Sequence, residues 1–308
     1  MTRGRYEVAA AEEGTGPARS AAPRTRSCRL CLLLLVLALV LALAAACVGA
    51  IFLHRALRRN ILFNPDGSKL FRGGENITEG DMLELDTGDL GQLSATRDRR
   101  LLWPQGRVPY RPDEAIGCPS SARCEVLQSA MSEFNQRTCV RWEPAPAHTA
   151  WAVQLLFRPH AGCFSHVGYR RGVGDSQIIM LGDGCFNKGI LLHLLAHTLG
   201  LWHEHNRPDR DSWISINFTN VAHGQEQSFK RFNHSQHHIV DRMDLTSVMM
   251  HGSRAFSSGH GPTLQSHWSA APLPEVSQKR HLSEQDVNRL QSMYIRQCSR
   301  RPQRRPDT

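Results

Sequence analysis

Residues 30–53 form an uncharged run, LCLLLLVLALVLALAAACVGAIFL, of 24 residues. As a helix it reaches about 36 Å at ~1.5 Å per residue, long enough to cross a bilayer. The run therefore divides the chain and predicts a retained transmembrane signal anchor. The rival is a signal peptide cleaved within the small residues 44–50, which would leave a secreted product, although signal cores run only about 7 to 15 residues. Flanking charge does not orient the span, because Arg19, Arg24, Arg26 and Arg29 on one side face Arg55, Arg58, Arg59, Lys69 and Arg72 on the other. Three N-glycosylation sequons, at Asn76, Asn217 and Asn233, and six cysteines all lie beyond the run. They favour a single-pass type II topology with an extracellular or lumenal C-terminal part. Cys28 and Cys31 would then flank the membrane on the cytosolic side, as thiols or S-acylated.

On this plan residues 1–29, rich in Ala, Gly, Arg and Glu, are a short cytoplasmic tail without apolar periodicity. Residues 54–100 form a polar, stem-like or propeptide-like stretch ending in Arg97-Asp98-Arg99-Arg100, read either as a processing site or as a solvated charge run. Residues 101–298 are the folded domain and residues 299–308 a basic tail. The hydrophobic share of 41% is enough for a proper core and excludes disorder for most of the chain. The net charge of +9 gathers at these edges and has no aromatic-basic surface motif beside it, so nucleic acid is not an expected partner.

Within the domain, residues 103–110 read as a turn entering a strand. Residues 125–137 have helical spacing, with Val126, Met131 and Phe134 on one side. Residues 152–157 and 177–181 read as strands, the second ending in a Gly-Asp-Gly turn. Residues 188–199 read as a helix stopped by Gly200, and Ser283 opens a last helix running to about Gln297.

The sharpest pattern is His193-Leu-Leu-Ala-His197-Thr-Leu-Gly200-Leu-Trp-His203. Spacing of i and i+4 puts His193 and His197 on one helix face a turn apart, as two zinc ligands require. Gly200 can take a positive φ and turn the chain back so that His203 reaches a third corner, leaving the fourth open. One zinc ion is the expected cofactor. His234, His237 and His238 read as exposed loop residues and not as a second metal site.

This motif, continued as Glu204-His205-Asn206-Arg207-Pro208-Asp209-Arg210-Asp211, resembles the astacin family of metzincin zinc endopeptidases from about Trp103 to Cys298. The resemblance implies an α+β fold with a twisted N-terminal sheet and two long helices. It also implies an irregular C-terminal lobe closed by the terminal helix, zinc in the cleft between the lobes, and a protein or peptide as substrate or binding partner. It implies the disulfides Cys163–Cys185 and Cys139–Cys298, which leaves Cys118 and Cys124 for each other. Ser247-Val248-Met249-Met250-His251-Gly252 is similar to the family's Met-turn, with Met249 beneath the ligands. Thr78-Glu79-Gly80-Asp81 is similar to its latency motif, which makes Asp81 a candidate switch on the open metal position, with Thr78 where the family has an aromatic residue. The resemblance further implies that a new amino terminus, freed by cleavage, pairs with Glu204. A cut after Arg100 leaves a short stub for that role, and a cut nearer residues 93–95 leaves a longer one.

Two departures bear on activity. The family has glutamate after the first histidine, where this chain has Leu194. That carboxylate accepts the proton of the attacking water and returns it to the leaving amine, work typically worth about 10²- to 10⁴-fold in rate. At the Met-turn, His251 stands where the family has the tyrosine that donates to the oxyanion, and Met250 replaces the histidine before it. A histidine at 251 can serve as a fourth protein ligand and close the water site. The sequence thus predicts a membrane-tethered domain that holds zinc but is catalytically dead or impaired. The alternative is a weak active endopeptidase with another base, such as His251. Glu204 is not an obvious substitute.

Overall fold

The computed structural model describes residues 34–41, 75–85, 99–146, 149, 152–159, 161–170, 177–234 and 241–300. The chain divides into two units, Met1–Arg59 and Asn60–Thr308. In the first, residues 34–41 are helical with exposed side chains; the remainder of the expected span lies outside the described residues, as do Cys28, Cys31, Cys47 and the ends of the chain. Among the described residues no helix is long and apolar enough to cross a membrane.

The second unit is built on a seven-stranded mixed sheet. Its strands are β1 (Glu75–Thr78), β2 (Met82–Leu85), β3 (Arg107–Pro112), β4 (Arg141–Pro144), β5 (Val153–Phe157), β6 (Phe164–His166) and β7 (Gln177–Leu181), in the order β1-β2-β6-β7-β5-β3-β4. β7, β5, β3 and β4 run parallel, and β6 pairs antiparallel with β7. β7 is buried at every position, as expected of a strand covered on both faces. The first two strands belong to the stretch read as a polar stem. They form a hairpin with Thr78 opposite Met82, and β2 then pairs parallel with the edge of β6, Met82 against Ser165 and Leu83 against His166. A sheet edge satisfies the backbone groups of two four-residue strands too short to stand alone.

Helix α1 (Ala122–Arg137) begins three residues earlier than the spacing predicts, because Ser121 caps it by accepting from the Cys124 amide at 3.1 Å. Leu127, Ala130, Met131 and Phe134 give it one buried stripe. Helix α2 (Lys188–Thr198), capped by Asn187, is apolar almost all round and runs through the middle of the core. The C-terminal lobe has little regular structure beyond a two-stranded ribbon, β8 (Ile214–Ile216) with β9 (Leu264–Ser266), around a smaller core of Phe229, Met243, Met250 and Leu273. Helix α3 (Glu284–Cys298), capped by Ser283, returns to the main core through Val287, Leu290 and Tyr294. Tyr294 Oη donates to Leu199 O at 3.0 Å, and the Trp103 indole donates to Thr198 O at 2.8 Å, so both pin the end of α2. The disulfides are Cys139–Cys298 and Cys163–Cys185, the pairings the resemblance implied, and Cys118–Cys124, the pair it left over.

Candidate metal centre

The helical turn between His193 and His197 sets their Nε2 atoms 3.0 Å apart. Gly200 then takes φ +99°, as the spacing required, and His203 Nε2 arrives 3.1 Å from His197 and 3.4 Å from His193. Each ring is oriented from behind. His193 Nδ1 donates to Val248 O at 2.7 Å, His197 Nδ1 to Leu201 O at 2.8 Å, and His203 Nδ1 lies 2.6 Å from Glu79 Oε2. With the protons on Nδ1, three Nε2 lone pairs converge on one point. Neutral imidazoles held so close repel unless a cation lies between them. Tetrahedral sites with metal–nitrogen distances of about 2.0 Å have ligand–ligand edges of about 3.3 Å, which the triangle fits.

The fourth corner belongs to Asp81. Its Oδ2 lies 2.9 Å from His193 Nε2, and its Oδ1 lies 3.1 Å from His203 Nε2 and 3.7 Å from His197 Nε2. Oδ1 is buried with no hydrogen-bond partner, the condition of an oxygen facing a metal. Asp81, His193, His197 and His203 together could hold one metal ion. Burial alone would raise the Asp81 carboxyl, and the His203 and His193 rings outweigh it, holding it well below the usual range. With no metal between the rings, burial at His203 works against the charged form and the Asp81 and Glu79 carboxylates override it, pushing the pKa up to about 10, so a metal would displace the Nε2 proton in binding there. Asp81 reaches the site because Glu79, at φ +50°, and Gly80, at φ +84°, fold the β1–β2 turn tightly.

His251 stands beside this point and not on it, with Nε2 3.7 Å from Asp81 Oδ2. Its ring lies 5.4 Å from that of Phe256, nearly parallel, and its Nδ1 is buried without a partner. Met250 points into the C-terminal core. Leu194 lines a cleft of about 280 Å³ together with Asp81, His193, His251 and Glu275. Glu275, not anticipated from the sequence, lies so near Gly252 that a Cβ there would meet its carboxylate at 2.2–2.5 Å.

Met249 is fully buried, and its carbonyl accepts from the Glu204 amide at 3.0 Å, which ties the Met-turn to the segment after His203. Two residues missed at sequence level hold that turn from outside: Asp286 of α3 accepts from the Val248 amide at 3.0 Å, and Lys279 Nζ donates to Ser247 O at 2.6 Å and also to Met250 O. Glu204, the expected partner of a freed amino terminus, is wholly buried and already pairs with Arg207 at 3.2 Å and with Arg289. His234 is exposed, whereas His237 and His238 lie outside the described residues. A second trio able to share an ion is His203, His205 and His251. Asn217 and Asn233 are exposed, and Asn76 lies in β1.

A histidine triangle on a long helix and its following turn, backed by a Met-turn, defines a zinc metalloprotease domain. The sequence model of the Astacin peptidase family matches residues 95–295, and the chain belongs to that family. It is 31% identical over 207 residues to zinc metalloproteinase nas-13 of Caenorhabditis elegans, covering 66% of this chain and 43% of the relative. With zinc metalloproteinase nas-15 of the same organism it shares 33% over 202 residues, 65% of this chain and 34% of the relative. The chain thus spans less than half the length of these relatives. High choriolytic enzyme 1, a hatching-enzyme zinc protease from Oryzias latipes, has a similar structure, with a TM-score of 0.55 at 26% identity, covering 64% of this chain and 96% of that one.

Proposed function

We propose that this is a membrane-tethered astacin domain that binds one zinc ion through His193, His197 and His203 and hydrolyses peptides poorly or not at all, acting as a binding, decoy or regulatory module. Bound zinc would supply Lewis acidity in the cleft. The observation that carries the reading is Leu194: next to His193 the cleft wall is an isobutyl group, which neither accepts nor returns a proton. His251 supports it, standing 3.7 Å from Asp81 Oδ2 where the family has the tyrosine that donates to the oxyanion. Asp81 is the latency switch in this reading, with Glu79 supporting His203 from the same turn. The anchor rests on the apolar run at residues 30–53, and the three disulfides and exposed Asn217 and Asn233 support an extracellular or lumenal domain. Cleavage of that run would make the product secreted.

A second reading, a weak endopeptidase with another base, has one specific support, the Glu275 carboxylate in the same cleft. Asp81→Ala, which clears the fourth corner, and Asp81→Ala with Leu194→Glu should both be assayed on an unstructured protein, with and without a chelator. Cleavage only by the double variant is expected. Clear chelator-sensitive cleavage by Asp81→Ala alone would overturn the impaired reading.

A further inference from the structure

Outside the histidine cleft, two basic segments nearly two hundred residues apart in sequence meet around another. Arg99 and Arg100 form a turn before the first buried residues of the domain, while Arg296 lies in the last turn of α3 and Arg300 just beyond it. The four arginines line a cleft of about 300 Å³ with Leu102 and Met293, and among the described residues no acidic side chain lines it. All four are exposed.

Both walls are fixed to the core. Leu102 is 5% exposed, and the next residue, Trp103, donates its amide to Tyr294 Oη of α3 at 3.3 Å. The Cys139–Cys298 disulfide ties down the end of α3 between Arg296 and Arg300. The helix dipole accounts for Arg296 alone. It does not account for Arg99 and Arg300, whose guanidinium groups are brought to the same place and disfavour it and each other. Such an arrangement is stabilised by an anion with several charges, and the planar fork of guanidinium suits the oxygens of sulfate or phosphate.

We infer that this cleft binds a sulfated glycan chain of the heparin type. The three disulfides are bonds of an oxidising compartment. The abundant polyanions there are sulfated polysaccharides and not nucleic acids, and anionic lipid faces the cytoplasm instead. A bound chain lies across Arg99–Arg100, so it also shields the candidate processing site. The inference is independent of whether any hydrolytic activity survives.

The test compares the full-length chain with Arg296→Ala/Arg300→Ala and with Arg254→Ala/Arg280→Ala, which removes two exposed arginines elsewhere. Affinity for a heparin octasaccharide should fall at least ~10-fold in the first variant and stay unchanged in the second. Equal losses in both would reduce the effect to net charge and overturn the site. Hyaluronan, which carries carboxylates without sulfate, should not compete. Tighter binding to phosphatidylserine vesicles than to the octasaccharide would assign the patch to a membrane and sink the glycan. Arginine footprinting with a glyoxal reagent needs no variant: the octasaccharide should protect Arg99, Arg100, Arg296 and Arg300 and leave Arg254 and Arg280 open, and any other pattern counts against the cleft.

Discussion

In the proposed reading the metal-holding and proton-handling sides of the cleft have diverged. On the first, every component is present: three Nε2 atoms within 3.0–3.4 Å of one another, a fixed acceptor behind each ring, and the Met-turn held by Asp286 and Lys279. On the second, Leu194 and His251 line the cleft where the family has a carboxylate and a phenol. Binding a metal and using it thus rest on separate residues, and one can be kept without the other. The partners of the histidines are backbone carbonyls and a carboxylate, which depend on the fold being right and not on turnover.

Breaking the metal side should have the largest effect. His197→Ala, with 0% exposure at the centre of the triangle, should drop zinc from one ion per chain to none by elemental analysis. It should also remove the stabilisation that zinc gives, about 4 kcal/mol when free metal is roughly a thousandfold above its Kd. Full zinc content in this variant would place the ion elsewhere, the His203–His205–His251 trio being the alternative. Restoring the proton side comes next. Introducing Leu194→Glu into Asp81→Ala should raise peptide hydrolysis by about 10²- to 10⁴-fold. A gain under ~3-fold would mean that His251 or Glu275 already supplies the base, or that His251 has closed the metal.

The metal side was legible in the sequence because its information is local. Two histidines one turn apart and a glycine with a positive φ are all that three converging nitrogens need, and α1 and α2 announce themselves by apolar spacing and side-chain caps. The supporting charges were not legible, since nothing near Lys279, Asp286 or Arg289 in sequence points to partners 32, 38 and 85 residues away. Asp286 reads as an ordinary capping acid, and it does accept from the Ser283 amide at 3.0 Å, but the same carboxylate also holds the Met-turn. Nor did ENIT and MLEL read as strands, because what makes them strands is the edge of β6. Asp81 was visible as a motif; Glu79, one residue before Gly80, became visible only with His203 beside it.

That buried network gives two further ways to sharpen the contrast. Arg289, 4% exposed, bridges Glu204 and Asp241, the latter at 2.9 Å. Arg289→Met leaves the buried Glu204 with Arg207 and the Asp244 amide and should destabilise the domain by about 3–5 kcal/mol in chemical denaturation, as loss of one member of a buried pair usually does. A loss below ~1 kcal/mol would mean that Arg207 suffices and that Glu204 has room for an incoming amine.

Lys279 should produce a smaller and pH-dependent effect. It is 7% exposed, and burial pulls its pKa down to about 8 from 10.5, although Asp286, Asp244 and Glu275 oppose the shift. Because the folded state holds this proton less tightly than the unfolded chain does, the cost is fully present below pH 8 and fades as the pH rises from about 8 towards 10.5. The domain should therefore gain about 3 kcal/mol from this group across that window. In Lys279→Met the charge and its desolvation cost disappear, so the same pH rise should bring a correspondingly smaller gain. Ser247 O and Met250 O, however, lose their donor, so at neutral pH the variant is stabilised only if burying an ammonium cost more than its hydrogen bonds returned. An unchanged pH slope in Lys279→Met would show that the lysine is not the group titrating. A steep fall in zinc content in the same variant would show that these two carbonyls, and not the histidine partners alone, hold the Met-turn in register with the metal.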